Sequence, residues 1–83
     1  MHVIALHSIS DPDKFFETAQ STPIPDGITL HSLLPSSDRS RAVCVWETDS
    51  AEAVREFVES NVGDVSQNEY FEVDAASAQG LPG

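Results

Sequence analysis

Residues 41–59, RAVCVWETDSAEAVREFVE, join an apolar strand directly to an amphipathic helix. The strand, residues 42–47, carries Cys44, the only cysteine of the chain. Asp49 or Ser50 can cap the helix, because short polar side chains accept hydrogen bonds from the free amides of a first helical turn. Apolar residues then recur at i, i+3 and i+4, namely Val54, Phe57 and Val58. A strand that runs straight into a helix predicts a mixed α and β domain.

The remaining elements extend this unit on both sides. Residues 2–9 and 28–35 are rich in aliphatic and β-branched side chains and predict strands, and residues 69–74 predict a last strand. Asp11 and Pro12 predict the start of another helix, which the prolines and glycine of residues 22–27 end. The order is therefore βαββαβ, the ferredoxin-like arrangement of the α+β class.

This order predicts a four-stranded antiparallel or mixed sheet with both helices on one face. Right-handed crossovers lead us to expect strands one and three side by side and parallel, with strands two and four at the edges. We expect residues 1–74 to form a single domain and residues 75–83 to form an irregular tail of small residues.

Composition limits the partners and the location. Fourteen acidic residues against four basic ones give the 83-residue chain a net charge of -10. Such a charge repels phosphate backbones and anionic lipids, so we expect neither nucleic acid nor a membrane as partner. The acidic surface either keeps the protein soluble or indicates an organism that lives at high salt. No stretch reaches the ~20 apolar residues of a membrane span, and the first residues lack the basic start of a signal peptide. One cysteine allows no intrachain disulfide. We therefore predict a cytoplasmic protein.

Alternation along the strands sorts their side chains into two sets, one for each face of the sheet. We expect the more aliphatic set to pack beneath the helices, and it consists of Ile4, Leu6, Leu33, Val43, Val45, Phe71 and Val73. The opposite set mixes polar and apolar residues, with Leu30, Leu34 and Trp46 as an exposed apolar patch. A second copy is the simplest cover for this patch, so we expect a homodimer with its sheets face to face around a small cavity.

The polar and amphipathic members of that opposite set are the candidate pocket residues, namely His7, Ser32, Cys44, Trp46, Tyr70 and Glu72. His7 and Cys44 lie on adjacent strands and could act as base and nucleophile, or as two ligands of a soft metal ion. Other interpretations stay open, with Cys44 as an inert hydrophobic residue and His7 and Trp46 as residues of the dimer interface. His31 falls on the helix side and His2 near an exposed terminus, so both rank below His7.

Several short motifs occur together in the second half of the chain. They are the glycine at the start of strand two (Gly27), the turn Asp38-Arg39, the strand AVCVWE at 42–47, the helix AEAVRE at 51–56, Gly63, and the closing Glu72-Val73. With them, residues 27–73 resemble a family of small ferredoxin-like proteins of unknown function, one member of which is described as nickel-responsive and nickel-binding. The resemblance implies a dimeric or higher assembly, a fold shared with the dimeric α/β-barrel superfamily, and a role for nickel or another divalent transition metal near Cys44 and a strand histidine. Helix two lacks the histidine that such proteins often carry, which leaves His7, His31, Cys44 and Glu47 as metal ligands.

Three functions are compatible with these features. The first is a binding or sensory domain that holds a small ligand or a divalent metal in the dimer cavity. The second is a small cofactor-free oxygenase or isomerase in which His7 works with Tyr70 or Glu72 as acid and base. The third is an assembly module whose open face serves only association. The sequence contains no Gly-rich phosphate loop and no HExxH, GxSxG or CxxC motif, which argues against nucleotide-dependent and hydrolytic enzymes.

Overall fold

A computed structural model describes residues 1–82 and contains four strands and two helices in the predicted order βαββαβ. The strands are β1 (His2–Ile9), β2 (Ile28–Pro35), β3 (Arg41–Thr48) and β4 (Ser66–Glu72), and the helices are α1 (Pro12–Ser21) and α2 (Ala51–Val62). β4 begins and ends earlier than predicted, because it pairs with nearly the whole of β1. Within this described part of the chain, neither helix is long and apolar enough to cross a membrane.

The sheet has the strand order β2-β3-β1-β4, and each pair of neighbours is antiparallel. This confirms the ferredoxin-like α+β fold. The expectation that strands one and three are parallel is wrong. Each helix joins two strands that run in the same direction but are separated by a third strand, so the two central strands run in opposite directions.

Both helices begin close to where the sequence predicts, for local reasons. The Asp11 side chain accepts a hydrogen bond from the Lys14 amide at 3.2 Å. Ser50, rather than Asp49, accepts from the Ala53 amide at 3.3 Å. Each such cap stabilises its helix by about 1 kcal/mol, because it satisfies an amide that has no partner within the helix.

The face of the sheet that meets the helices is the opposite of the predicted one. The buried side chains of the two central strands are Val3, Ala5, His7, Ala42, Cys44, Trp46 and Thr48. The apolar ones among them form one core with Phe15, Phe16, Val54 and Val58 of the helices. Members of the more aliphatic set, such as Ile4 and Val45, lie on the other face and are half-buried. Both sets are apolar, so alternation separates them without deciding which one the helices cover. The small side chains of Ala5, Ala42 and Cys44 suit the helix side, because they leave room for aromatic rings in a close-packed layer.

A β-bulge in β2 changes the face on which its second half lies. Before the bulge Leu30 pairs with Trp46, and after it Leu33 pairs with Cys44, so both leucines lie on the helix side. Two residues stand between them, of which His31 is the extra one. The prediction that His31 lies on the helix side is therefore wrong, because it assumes unbroken alternation.

The face without helices is called the uncovered face below. It consists of His2, Ile4, Leu6, Ser8, Thr29, His31, Ser32, Leu34, Arg41, Val43, Val45, Glu47, Gln67, Glu69 and Phe71. Leu34 and Phe71 are 59% and 52% exposed. An antiparallel sheet that turns one face to water is normally polar on that face, and this face combines polar residues with six apolar ones, Ile4, Leu6, Leu34, Val43, Val45 and Phe71.

Candidate functional site

Two histidines and a glutamate from three different strands meet on the uncovered face. His2 of β1 and Glu47 of β3 are directly opposite each other in the sheet, and the bulge in β2 brings His31 beside them. His31 Nε2 lies 2.8 Å from Glu47 Oε1, and His2 Nε2 lies 3.7 Å from the same oxygen. The two imidazole rings stack with their centroids 5.8 Å apart. One ligand atom from each residue lies within 4.8 Å of the other two, so the group could hold a metal ion.

This group is partly shielded from water and is electrostatically suited to a cation. The side chains of His2 and His31 are 15% and 21% exposed. The hydrogen bond that His31 donates, helped by the nearby His2 ring, lowers the pKa of the Glu47 carboxyl. Glu47 is therefore a carboxylate at neutral pH, the form that binds a cation. Nε2 of His2 is buried and has no hydrogen-bond partner among residues 1–82, and a metal ion would supply one.

The distances suit a divalent first-row metal. A tetrahedral zinc ion with bonds of about 2.1 Å separates its ligand atoms by about 3.4 Å. The 3.7 Å between His2 and Glu47 is close to that separation. The 2.8 Å between His31 and Glu47 would lengthen when the shared proton leaves, since a ligating nitrogen must be deprotonated. Three protein ligands leave at least one coordination position for water or another ligand.

Of the four predicted metal ligands, the structure brings two into this group, His31 and Glu47. His7 and Cys44 lie on the helix side of the sheet and do not belong to it. The third member, His2, is half-buried instead of exposed. The signal that could have identified His2 is register, because an antiparallel β1–β3 pair places residue 2 opposite residue 47.

A second polar group lies in the core between the sheet and the helices. His7 Nε2 is 3.2 Å from Cys44 Sγ, and His7 Nδ1 is 2.6 Å from Asn68 Oδ1. Asn68 Nδ2 in turn donates to Glu59 of α2 at 2.8 Å. Because the amide nitrogen of Asn68 is the donor to a carboxylate, its oxygen accepts from His7. His7 therefore carries its proton on Nδ1, and its Nε2 accepts from the Cys44 thiol.

The order thiol, imidazole, amide is that of a nucleophile, a base and an orienting residue, but burial keeps the thiol and the imidazole neutral. Burial raises the pKa of the Cys44 thiol to about 12, and burial also lowers the pKa of His7. Both shifts oppose proton transfer from Cys44 to His7, because the products would be two charges in the core. At neutral pH the pair is a hydrogen-bonded part of the core.

Trp46 and Tyr70, two further pocket candidates, also lie on the helix side. Trp46 is 3% exposed, and its ring packs edge-on against Phe57 with centroids 5.9 Å apart. The Tyr70 hydroxyl donates to Glu59, and burial together with this bond raises the Tyr70 pKa. Neither residue lies where the dimer cavity was expected, because the two faces of the sheet are reversed relative to the prediction.

The last two pocket candidates lie apart from this group. Ser32 is half-buried on the uncovered face, next to the bulge, and Glu72 is exposed at the end of the edge strand β4. Among residues 1–82, His7 makes no hydrogen bond to Tyr70 or to Glu72. His7 and Tyr70 are instead linked indirectly, because Asn68 bonds to His7 and Glu59 accepts from both Asn68 and Tyr70.

Residues 4–81 match a family model described as "Domain of unknown function (DUF8652)". No curated protein and no solved structure matches the chain. The match agrees with the predicted membership of a ferredoxin-like family without an assigned function. Nickel binding stays a prediction.

Proposed function

We propose that this chain, which belongs to the DUF8652 family, is a binding or sensory domain that takes up a divalent transition metal ion at His2, His31 and Glu47. The observation that carries the proposal is the approach of three ligand atoms from three strands to within 4.8 Å of one another. Because the ligands stand on a hydrogen-bonded sheet, little backbone ordering is needed when the ion binds.

Nickel and zinc are the ions that fit this ligand set best. Imidazole nitrogens suit zinc, nickel and copper, and one carboxylate offsets part of the charge of the ion. The resemblance to a family with a nickel-binding member favours nickel, and the ligand separations favour zinc. The net charge of -10 raises the local concentration of any cation. The proposal includes the predicted cytoplasmic location, which suits the free thiol of Cys44.

We further propose that two copies associate through the uncovered face. Leu34 and Phe71 are more than half exposed there, and the half-buried Ile4, Val43 and Val45 lie on the same face. In a dimer with a twofold axis, the same patch of each copy contacts the other copy, so the uncovered face of one copy covers that of the other. The metal group lies on this face too, where the second copy would exclude water from it.

Metal binding is tested by calorimetric titration of protein without a histidine tag, using nickel chloride and zinc chloride in turn. We expect one ion per chain. Glu47→Gln and His31→Gln should each weaken binding at least about tenfold, because even residues that only support metal ligands are worth 10–100-fold in affinity. Cys44→Ser removes a predicted ligand that lies on the helix side of the sheet, and this variant should bind the metal like the wild type. Full binding by the Glu47 variant, or loss in the Cys44 variant, would reject this site.

Association is tested by light scattering on a gel-filtration column, with and without added metal. We expect a dimer that Leu34→Glu converts to a monomer, because the substitution buries a charge in the interface. Ile24→Glu is the matched control, since Ile24 is 43% exposed but lies outside the sheet. A wild-type monomer would refute the dimer, and a dimer that binds no metal would favour the assembly module over the metal site.

A further inference from the structure

We infer that a groove on the uncovered face, at the end of the sheet away from the metal group, binds a small carboxylic acid with an apolar body, and that Arg41 holds its carboxylate. The site deepens the proposed binding function and rests on it only for the second copy, which would cover the groove. None of the metal ligands takes part. One unpaired guanidinium, the apolar residues next to it and the size of the groove support this site.

The groove lies over the last residues of β1 and β2 and the first residues of β3 and β4. Its volume is about 490 Å³, and pockets for small molecules measure roughly 300–1,000 Å³. Val43 lies between Leu6 and Leu34 in the sheet, and these three side chains give the groove an apolar base. Arg41 and Glu47 are six residues apart on β3, so the groove begins about 20 Å from the metal group.

Arg41 is the cation of this groove. Lys14, Arg39 and Arg55 each form an ion pair with a carboxylate. Arg41 is the one remaining lysine or arginine of the chain, and among residues 1–82 it has no such partner. A guanidinium binds a carboxylate through two parallel hydrogen bonds, which a neutral group cannot match. The group that Arg41 lacks is therefore an anion with two oxygen atoms.

The polar neighbours of Arg41 favour a carboxylate on the β3 side of the groove. Ser8 lies opposite Arg41 and Gln67 lies opposite Ser8, so a hydroxyl and an amide follow the guanidinium across the sheet. Both side chains can donate to a carboxylate. Glu69 is the only acidic residue of the lining and belongs to β4, two strands away from β3. It repels an anion from the β4 side and so favours the position beside Arg41.

The spacing along β3 indicates the length of the ligand. Arg41 and Val43 are two residues apart on the same face, which separates them by about 7 Å. A carboxylate joined to an aromatic ring by a two-carbon linker spans this distance and lays its ring on Val43, Leu6 and Leu34. The net charge of -10 disfavours anions in general. We therefore expect weak binding, with a dissociation constant of about 1 mM.

The test is a proton–nitrogen NMR titration with 3-phenylpropionate in about 0.15 M salt, which limits the reach of the net charge to about 8 Å. We expect saturable shifts of the backbone amide signals of Val43 and Leu6. The ligand controls are 3-phenylpropionamide, which lacks the charge, and acetate, which lacks the apolar body. Neither should give a saturable shift at the same concentrations. Equal binding of the amide and the acid would overturn the inference.

Matched variants test the role of the charge. Arg41→Gln should weaken binding at least about tenfold, as expected for a hydrogen-bonded ion pair. Arg55→Gln removes the same charge from α2, on the other side of the sheet, and should bind like the wild type. Glu69→Gln removes the repelling carboxylate and should strengthen binding by up to about fivefold. Unchanged binding by the Arg41 variant, or no saturable shift in the wild type, would reject the site.

Two comparisons separate this site from the metal site and from the dimer. Glu47→Gln should bind 3-phenylpropionate normally and Arg41→Gln should bind zinc normally, so either site can fail alone. In light scattering, Arg41→Gln should have the same mass as the wild type. A wild-type monomer that binds the acid would refute the dimer and support the groove. A dimer that binds no acid and that Arg41→Gln dissociates would mean that Arg41 pairs with the second copy, and the inference would be wrong.

Discussion

His31 Nε2 lies 2.8 Å from Glu47 Oε1 on the uncovered face, and the residue that makes this contact is the extra residue of a β-bulge. The apolar residues on either side of the bulge lie on the helix side, with Ile28 and Leu30 before it and Leu33 after it. His31 thus adds a ligand to the metal group without taking a place in the core. Bulges often re-aim a side chain in this way near functional sites.

Deletion of His31 should leave the fold intact and remove the metal site. Without it, residues 28–35 alternate without interruption, and each apolar side chain keeps its face. We expect the free energy of unfolding to change by less than about 1 kcal/mol, since no buried side chain is lost. Urea denaturation measures the stability, and calorimetry with zinc measures the binding.

The control for this deletion is His31→Ser, which keeps the bulge and removes only the imidazole. It should lose metal binding to the same extent. A deletion variant that unfolds, or that still binds the metal, would show that the bulge has a different role.

Bound metal should raise the thermal stability of the wild type. An ion present at about a hundred times its dissociation constant stabilises the folded state by about 2.7 kcal/mol. In a domain of this size that corresponds to an increase in Tm of at least about 10 °C. The increase is read by circular dichroism with and without nickel or zinc.

The matched pair for this measurement is Glu47→Gln and Glu52→Gln. Glu47 is in the metal group, whereas Glu52 is an exposed acid on α2. The first variant should show little increase in Tm and the second the full increase. Equal increases in both would mean that the ion binds elsewhere on the acidic surface.

The buried His7 should make stability depend on pH. Burial lowers its pKa from the usual 6.5, so the unfolded chain takes up this proton at a higher pH than the folded protein does. Its contribution to stability is complete above pH 6.5 and is lost as pH falls toward the folded pKa, by up to about 1.4 kcal/mol per pH unit. Urea denaturation across this range measures the slope.

His7→Gln removes the titrating ring. It should therefore remove the contribution of His7 to the change of the free energy of unfolding with pH. Other groups titrate in both proteins, so the difference between the two curves isolates His7. Identical pH dependence in both would show that the buried imidazole is protonated as easily in the folded state as in the unfolded one.

Loss of the Ser50 cap should destabilise α2. The Ser50 hydroxyl accepts from the Ala53 amide at 3.3 Å, and Ser50→Ala should therefore lower the free energy of unfolding by about 1 kcal/mol. Ser60→Ala, at an exposed position of the same helix, should have little effect because no cap is lost. A larger effect at Ser60 would contradict the assignment of the cap.

Local features could be predicted from the sequence because their causes are local. The order of the elements, the Asp11 cap and the end of α2 before Gly63 each depend on residues within a few positions of one another. The bulge also had a signal, since the apolar residues Ile28, Leu30 and Leu33 are spaced by two and then by three. That change of spacing separates His31 from the alternating pattern.

By itself, the amino-acid sequence determined the order of the elements, and with it the ferredoxin-like fold. Strand and helix periodicity and the helix caps depend only on residues that are close together in the sequence. Only the tertiary structure decided which face of the sheet the helices cover, since the two faces are almost equally apolar. That choice placed Cys44 and His7 in the core, and strand register brought His2 to Glu47 on the uncovered face. Residues 45 positions apart in the chain can be neighbours only through such pairing.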